Sequence, residues 1–274
     1  MSKVILTLLT AVVLSAAHAQ TPTNYGSNEK AGGFKRINGI KLYYETYGEG
    51  KPLVLLHGNG GSIKGHSARI EYFKKFFKVI AIDSRAHGKS GDDPKVPLTY
   101  VQMANDIKVL MDTLKIDSAY LWGQSDGGIL GLLMAVHYPS KVSRVATFGA
   151  NIFPGKKAIV DELDDWVLDS LKLTKSARTK SLYSLLAYQP DIKESDLKKI
   201  KCPVLVMTGD RDAIKLDHSL LIFNSIPKSN LFVMPGASHF GAYQKPELFN
   251  IVLHDFLTKP FSTLSTVEIM LGKH

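Results

Sequence analysis

One serine of the chain lies between glycines, at a point where one apolar segment ends and another begins. The segment Gly123-Gln124-Ser125-Asp126-Gly127 fits the pattern G-x-S-x-G, with a strand-like segment before it and an apolar, helix-like segment after it. A nucleophilic serine at a sharp turn from strand to helix needs neighbours without side chains. The first amides of the helix favour negative charge that develops beside the serine. The pattern indicates a nucleophile at Ser125, and an ordinary Gly/Ser turn is the alternative that the pattern alone leaves open.

A serine hydroxyl is a weak nucleophile at neutral pH, so it needs a base within hydrogen-bond reach and a carboxylate that orients the base. Asp212 follows one predicted strand, and His239 follows the next strand along the chain. Asp210 is a second candidate for the orienting acid. The residues therefore supply a nucleophile, an acid and a base, in the order serine, aspartate, histidine.

The segments that must position these groups alternate between predicted strands and predicted helices. Continuous apolar runs at 52–56, 77–82 and 203–207 are typical of strands buried on both faces. Residues 40–47 alternate apolar with polar side chains and predict an antiparallel strand at the sheet edge. We therefore expect an α/β fold with a mostly parallel sheet flanked by helices. The candidate residues all follow strand ends, where the chemistry of such sheets gathers.

Helical spacing extends over residues 100–114, with Thr99 as a plausible N-cap. Between residues 151 and 200 the alternation stops, and helical stretches with acidic faces take its place. This change predicts a small helical cap insertion, with the core formed by residues 20–150 and 201–274.

The insertion is where we expect the substrate to be selected. Trp166, Tyr183 and Tyr188 are candidates to line an apolar pocket, and packing of the insertion on the core is the alternative for each. The acidic side chains of the insertion are more typical of a solvated helix face than of a cation site.

The first residues have the composition of an export signal. Lys3 precedes an apolar run at 4–17, and Ala17-His18-Ala19 provides small residues where a signal peptidase cleaves. We expect residues 1–19 to be a signal peptide and the mature protein to be exported, to a periplasm or outside the cell. Residues 20–36 are expected to form a polar leader.

The composition is that of an ordinary globular protein: 274 residues, 45% hydrophobic and 22% charged. The formal net charge is +9, but the lysines are scattered in short pairs without a basic block, which argues against nucleic-acid binding. The apolar run near the N-terminus is too short to predict a stable membrane anchor. Cys202 is the only cysteine, so an intramolecular disulfide is excluded and a cysteine-based metal site is implausible. The sequence leaves the oligomeric state open.

The chain resembles the α/β-hydrolase superfamily, in particular its capped esterases and carbon–carbon hydrolases. The resemblance covers about residues 39–257. It rests on five motifs in the family's order, which are HGNG at 57–60, DSRAHGKS at 83–90, GQSDGG at 123–128, GDRD at 209–212 and GASH at 236–239.

The resemblance implies a role for each candidate residue. Ser125 would be the nucleophile and His239 the general base, and Asp212, at the fourth position of the glycine motif, is favoured over Asp210 as the acid. The family's oxyanion hole corresponds to the backbone amides of Asn59 and Asp126, while the direction of the Asp126 side chain stays open. No metal and no organic cofactor is implied. Ala86 departs from the glycine that the family often has, which indicates a slightly different turn.

The expected function is that of a serine hydrolase acting on a small-molecule substrate. The scissile bond would be an ester, thioester, lactone or activated carbon–carbon bond, cleaved through an acyl-enzyme. A serine at position 125 argues against haloalkane dehalogenases and epoxide hydrolases, two subfamilies that share this loop but use an aspartate there. One alternative is an aminopeptidase or amidase with an acidic residue of the insertion at the substrate amine. Another is a non-catalytic binding protein on the same fold.

Overall fold

The computed structural model describes residues 23–93, 95–262 and 264–272. The predicted signal peptide, residues 1–19, lies outside these described residues. Eight strands form one mixed sheet in the order β1-β2-β4-β3-β5-β6-β7-β8. In chain order the strands are β1 Gly32–Ile37, β2 Ile40–Tyr47, β3 Pro52–Leu56, β4 Lys78–Ile82, β5 Ala119–Gln124, β6 Val142–Phe148, β7 Val204–Arg211 and β8 Ser229–Ser238.

Helices follow most of these strands. They are α1 Ser67–Phe73, α2 Tyr100–Thr113, α3 Asp126–His137, α4 Asp161–Leu173, α5 Ala177–Tyr188, α6 Glu194–Leu197, α7 Leu216–Ser225, α8 Gly241–Gln244, α9 Pro246–Thr258 and α10 Thr266–Met270. Thr99 caps α2 as predicted, because its hydroxyl accepts a hydrogen bond of 3.1 Å from the amide of Gln102.

In the order of the sheet, all neighbouring strands from β4 through β3 to β8 pair in parallel. At the other end, β1 pairs antiparallel with β2, and β2 pairs antiparallel with β4. Along β3, Leu53 and Leu55 pack with α1 and α9, whereas Val54 and Leu56 pack with α2 and α3. Both faces of this strand are therefore buried, which explains why its sequence is apolar without alternation. The predicted α/β architecture, with a mostly parallel sheet between helices, is confirmed.

The edge of the sheet differs from the prediction. β2 has the predicted bounds, but β1 lies outside it and is the true edge strand. The prediction of a polar leader over residues 20–36 is therefore wrong for residues 32–36, which belong to β1. The two strands join at Asn38 and Gly39, whose φ angles are 43° and 84°. Two consecutive left-handed residues make the tight hairpin turn for which Asn-Gly is the strongest sequence signal.

The segment between β6 and β7 contains α4, α5 and α6. The N-terminal end of this segment is tied to the core by an isolated bridge between Ile159 and Ile214. The C-terminal end of α5 is held by Gln189, whose side chain accepts from the amide of Tyr100 at 3.2 Å and donates to the carbonyl of Leu98 at 3.1 Å. These contacts fix the helical segment against the end of the sheet where β5, β7 and β8 terminate.

Candidate active site

Ser125 lies at a strained turn between β5 and α3. Its φ and ψ angles are 53° and −120°, a conformation that a residue with a side chain rarely adopts. A Cβ on Gly123 would lie 2.0 Å from the carbonyl oxygen of Gly127, and one on Gly127 would lie 2.1 Å from that of Leu56. Glycine is therefore required on both sides of the serine, as the motif predicts. The strained conformation of Ser125 is therefore part of the way in which β5 and α3 are joined.

His239 follows β8 and is hydrogen bonded to Asp212, which follows β7. The distance from His239 Nδ1 to Asp212 Oδ1 is 2.6 Å, and the Asp212 side chain is 0% exposed. Because the carboxylate accepts at Nδ1, that nitrogen carries the proton and Nε2 is left as the acceptor. Asp210, the competing candidate, lies elsewhere and accepts from the amide of Ala237 at 3.1 Å.

The carboxylate of Asp212 is held in its charged form by hydrogen bonds. Burial acts to raise its pKa, but the hydrogen bond from His239 and the amides of Ile214 and Gly209 outweigh that effect, so the pKa is below the ordinary value. The amide of Ile214 donates at 2.9 Å and that of Gly209 at 3.3 Å. Asp212 is thus a fixed negative charge behind His239.

Ser125, His239 and Asp212 line the same cavity, whose volume is about 1080 Å³. Within the described residues no hydrogen bond joins Ser125 Oγ to His239. Hydrogen bonds of this kind are often long in an unliganded site and tighten when substrate binds. The structure therefore brings the three groups to one cavity, with the aspartate–histidine bond already formed.

The two candidate oxyanion donors belong to two different segments near Ser125. Asn59, in the loop after β3, lines the cavity, and Asp126 is the first residue of α3. Among the hydrogen bonds of the described residues, neither backbone amide has an acceptor. Both N–H groups are therefore available to an oxygen atom placed near Ser125.

The side chain of Asp126 points away from the cavity into the core. It is 2% exposed, and its two oxygens accept from the hydroxyl of Tyr100 at 2.8 Å and from Asn59 Nδ2 at 3.0 Å. Burial raises the pKa of this carboxyl group above its ordinary value.

Of the three candidates for substrate contact, only Trp166 lines the cavity. The expectation for Tyr183 and Tyr188 is corrected. Tyr183 packs edge-to-face on Trp166, with ring centroids 5.6 Å apart, and Tyr188 is 66% exposed near the end of α5. The apolar wall of the cavity instead includes Ile159, Leu163, Trp166, Val167, Leu186 and Phe240.

Two buried histidines support the loops beneath the site. His57 donates from Nδ1 to the carbonyl of Gly58 at 2.8 Å and accepts from the amide of Ser84 at 3.1 Å. His87 donates to the carbonyl of Arg85 at 2.8 Å. Burial lowers the pKa of each histidine to about 4, so both are neutral at neutral pH. Ala86, between these loops, has φ at 63°, the left-handed conformation that glycine favours.

Two residues of the site were not singled out from the sequence. Gln124 donates from Nε2 to the main-chain oxygen of His239 at 2.8 Å. Gly149, with φ at 62°, lies so close to His239 that a Cβ would be 2.7 Å from the imidazole ring. The signal for Gln124 is its position inside the G-x-S-x-G motif. Gly149 follows the end of β6, at the same edge of the sheet.

The family model for the alpha/beta hydrolase fold matches residues 51–175. The human serine hydrolase BPHL is 30% identical over 252 aligned residues, which cover 81% of this chain and 84% of the relative. The chain belongs to the α/β-hydrolase family. It is a hydrolase, as the named relatives are.

Further relatives of this α/β hydrolase include enol-lactonases. The 3-oxoadipate enol-lactonase 2 of Acinetobacter baylyi is 26% identical, with 77% of this chain and 91% of the relative covered. The crystal structure of the enol-lactonase from Burkholderia xenovorans LB400 superposes with a TM-score of 0.71 at 25% identity, covering 83% of this chain and all of that chain.

Neither a metal site nor a membrane span is found in the described residues. No grouping of three or more histidine, cysteine, aspartate or glutamate side chains in this part of the α/β hydrolase is arranged to hold a metal ion. No helix in the same residues has the length and apolar character needed to cross a bilayer.

Proposed function

We propose that this α/β hydrolase cleaves small apolar carboxylic esters or lactones through an acyl-enzyme, with Ser125, His239 and Asp212 as its catalytic triad. The observation that carries the proposal is the shared cavity. A serine on a strained turn faces the same space as a histidine whose other nitrogen is bonded to a buried carboxylate. Thioesters and activated carbon–carbon bonds are cleaved by the same acyl chemistry and belong to the same proposal.

In the first half of the reaction Ser125 attacks the carbonyl carbon of the ester. Its Oγ–H proton passes to His239 Nε2 while the Oγ–C bond forms, and the carbonyl electrons move to the oxygen. The positive charge that develops on the imidazole faces Asp212, which is buried and ionised. When the carbonyl re-forms, the bond to the leaving alkoxide breaks and His239 returns the proton to it.

In the second half water takes the place of the alcohol. His239 accepts a proton from the water, the hydroxide oxygen bonds to the acyl carbon, and the Ser125 Oγ–C bond breaks as the proton returns to the serine. Each tetrahedral intermediate carries a negative oxygen, which the amides of Asn59 and Asp126 would bind. Removal of one such donor typically costs about 10²- to 10³-fold in kcat.

The size and lining of the cavity favour an apolar acyl group. Its volume of about 1080 Å³ lies just above the roughly 300–1,000 Å³ that is typical of pockets for drug-sized ligands, so there is room for a substrate of that size. Leu163, Trp166 and Val167 of α4 contribute apolar side chains to its wall. The similarity to enol-lactonases supports an ester or lactone as the bond that is cleaved.

One observation favours an amine-bearing substrate as a second candidate. Glu162 of α4 lines the cavity, and within the described residues its carboxylate has no ion-pair partner. A carboxylate at this place is suited to bind a substrate ammonium group, as an aminopeptidase or amidase would require. Cleavage of aminoacyl arylamides but not of acyl esters, with loss of that activity in Glu162→Gln, would favour this candidate.

Export of the mature protein is part of the proposal and rests on the sequence of residues 1–19. Mass spectrometry of the protein expressed in a bacterial host with its full N-terminus tests it. Cleavage after Ala19 and recovery outside the cytoplasm are expected, and an intact N-terminus in the cytoplasm contradicts export.

The decisive experiment measures hydrolysis of p-nitrophenyl esters from acetate to octanoate by the protein and by Ser125→Ala. We expect release of p-nitrophenolate by the unmodified protein and a loss of at least about 10⁴-fold in the variant. Ser118→Ala is the matched control, because Ser118 is hydrogen bonded to Ser143 far from the cavity and its removal should leave the rate unchanged.

Labelling by a fluorophosphonate separates the chemistry from the choice of substrate. A protein that is labelled at Ser125 but hydrolyses none of the esters has a reactive serine and another substrate. A folded protein that is neither labelled nor active would overturn the proposal.

A further inference from the structure

The side chain of Asn59 joins three parts of the molecule. Its Nδ2 atom donates to Asp126 Oδ2 at 3.0 Å and to the carbonyl oxygen of Leu182 at 3.2 Å. Asn59 belongs to the loop after β3, Asp126 begins α3, and Leu182 lies on α5. One amide group therefore contacts the nucleophile's helix and the helical segment over the cavity at the same time.

Asp126 is a rigid acceptor for this contact. Its carboxylate is 2% exposed, and its other oxygen is occupied by the Tyr100 hydroxyl at 2.8 Å. Tyr100 is itself buried at the start of α2. Loss of either donor would leave one oxygen of this buried carboxylate without a hydrogen bond, so the arrangement of Asn59 and Tyr100 around it is strongly favoured.

The backbone amide of Asn59 is one of the two donors assigned to the oxyanion hole. A donor of this kind is effective only if it is held in place before the charge develops, so that no reorganisation is needed during the reaction. Asn59 is in a loop, with Gly58 before it and Gly60 and Gly61 after it. Glycines on both sides leave the side chain as the main restraint on the direction of that amide.

We propose that the side chain of Asn59 is a positioning group, which fixes its own backbone N–H in the oxyanion hole by bonding to Asp126 and to Leu182 of α5. This inference rests on the proposed function. The residue after the nucleophile thereby acts in two ways, because Asp126 supplies both its own backbone amide and the carboxylate that orients the other oxyanion donor. The same contacts link the position of α5 to the geometry of the oxyanion hole.

The test is Asn59→Ala, which retains the backbone amide and removes both side-chain hydrogen bonds. We expect kcat for the preferred p-nitrophenyl ester to fall about 10- to 100-fold, part of the cost of losing a donor outright, with KM changed less than about threefold. Binding of a trifluoromethyl ketone of the same chain length should weaken in parallel with kcat/KM. That ketone adds to Ser125 and places an oxyanion in the hole, whereas the carboxylic acid product does not, so product inhibition should stay the same.

Asp126→Asn is the conservative variant. Its amide oxygen can still accept from Asn59, so we expect a smaller loss of kcat than in Asn59→Ala. Asn38→Ala is the matched control, because Asn38 Nδ2 also donates to a buried carboxylate, that of Asp106 at 2.8 Å, and neither residue lines the cavity. The control should lower stability without changing kcat or ketone binding.

The outcomes separate this inference from the function on which it rests. If the unmodified protein hydrolyses the esters and Ser125→Ala does not, while Asn59→Ala has unchanged kcat and ketone affinity, the positioning role is wrong and the triad stands. Equal losses of kcat in Asn59→Ala and Asn38→Ala would also overturn the role, since they would reflect stability alone. If Ser125→Ala is as active as the unmodified protein, the proposed function itself fails.

Discussion

Gln124, the residue before Ser125, donates a hydrogen bond of 2.8 Å to the main-chain oxygen of His239. The contact joins the end of β5 to the loop after β8, which are 115 positions apart in sequence. Gln124 is 5% exposed, so the bond is shielded from competing water. The histidine is therefore held from two sides, by Gln124 at its backbone and by Asp212 at its ring.

The identity of the orienting acid gives the first prediction. Asp212→Asn should lower kcat by about 10⁴-fold, because an amide at this position favours the wrong tautomer of His239. Asp210→Asn makes the same replacement of a carboxylate by an amide two residues earlier, where the side chain accepts from the amide of Ala237. It should change kcat less than about threefold. Steady-state kinetics with a p-nitrophenyl ester measure both. A larger loss for Asp210→Asn than for Asp212→Asn would show that the acid has been assigned to the wrong aspartate.

The second prediction concerns the space beside His239. A Cβ on Gly149 would lie 2.7 Å from the imidazole, so Gly149→Ala must displace the ring from Asp212 or from Ser125. A displacement of about 1 Å can cost about 10²-fold in rate, and we expect a loss of that order in kcat/KM.

Gly155→Ala is the control for this variant. Gly155 has φ at 84°, a left-handed conformation like that of Gly149, but a Cβ there would meet nothing within 4 Å. Both substitutions place a side chain on a left-handed residue, which costs about 1 kcal/mol, and Gly149→Ala adds the cost of displacing the imidazole. Only Gly149→Ala should impair catalysis, and equal activity of the two variants argues against the placement of His239.

The sequence predicted those features that depend on local spacing. The turn at Ser125, the cap at Thr99 and the bounds of β2 follow from short motifs and from periodicity. β1 was missed because Gly32 and Gly33 are poor strand formers, and its formation depends on pairing with β2 across the Asn38-Gly39 turn.

The contacts among side chains could not be predicted in the same way. Asn59 and Asp126 are 67 positions apart, and Tyr100 and Asp126 are 26 apart. No spacing rule connects residues at such distances, because the contact depends on how two loops and a helix pack at the sheet edge. Tyr183 is the opposite case, a contact that was predicted from the sequence but is absent from the cavity. Its place in an aromatic-rich insertion favoured substrate contact, whereas its ring packs on Trp166.

The third prediction distinguishes the aromatic residues of the helical segment. Trp166 lines the cavity although it is 53% exposed, and Tyr188 is 66% exposed and does not line it. Trp166→Ala should lower kcat/KM about 3- to 10-fold for the longer p-nitrophenyl esters, mainly through KM, since each factor of ten corresponds to about 1.4 kcal/mol of contact with the acyl chain. Tyr188→Ala should have no effect on any chain length. An equal effect of Trp166→Ala on acetate and octanoate esters would mean that the indole does not contact the acyl chain.

The last prediction follows from the buried histidines. Burial lowers the pKa of His57, His87 and His218 to about 4, whereas an unfolded histidine titrates near pH 6.5. Between these values the unfolded chain binds protons that the folded protein does not, so the free energy of unfolding decreases as the pH falls. The stabilisation is complete above about pH 6.5 and is lost progressively towards about pH 4. Each group contributes about 1.4 kcal/mol per pH unit in this window.

The pH dependence of stability can be measured at His218, which does not line the cavity. Its Nε2 accepts a hydrogen bond of 3.0 Å from the amide of Ile152. His218→Gln removes the titration while the glutamine oxygen can still accept that hydrogen bond. Urea denaturation near pH 7 and near pH 5 should show a decrease in stability that is smaller by roughly 2 kcal/mol in His218→Gln than in the unmodified protein.

His137→Gln, at an exposed histidine on α3, controls for the loss of an imidazole. The carboxyl groups of Asp83 and Asp126, whose pKa values burial raises, act in the opposite direction but are present in all three proteins and cancel in the comparison. If the decrease is the same in His218→Gln as in the unmodified protein, burial of His218 does not exclude its protonation.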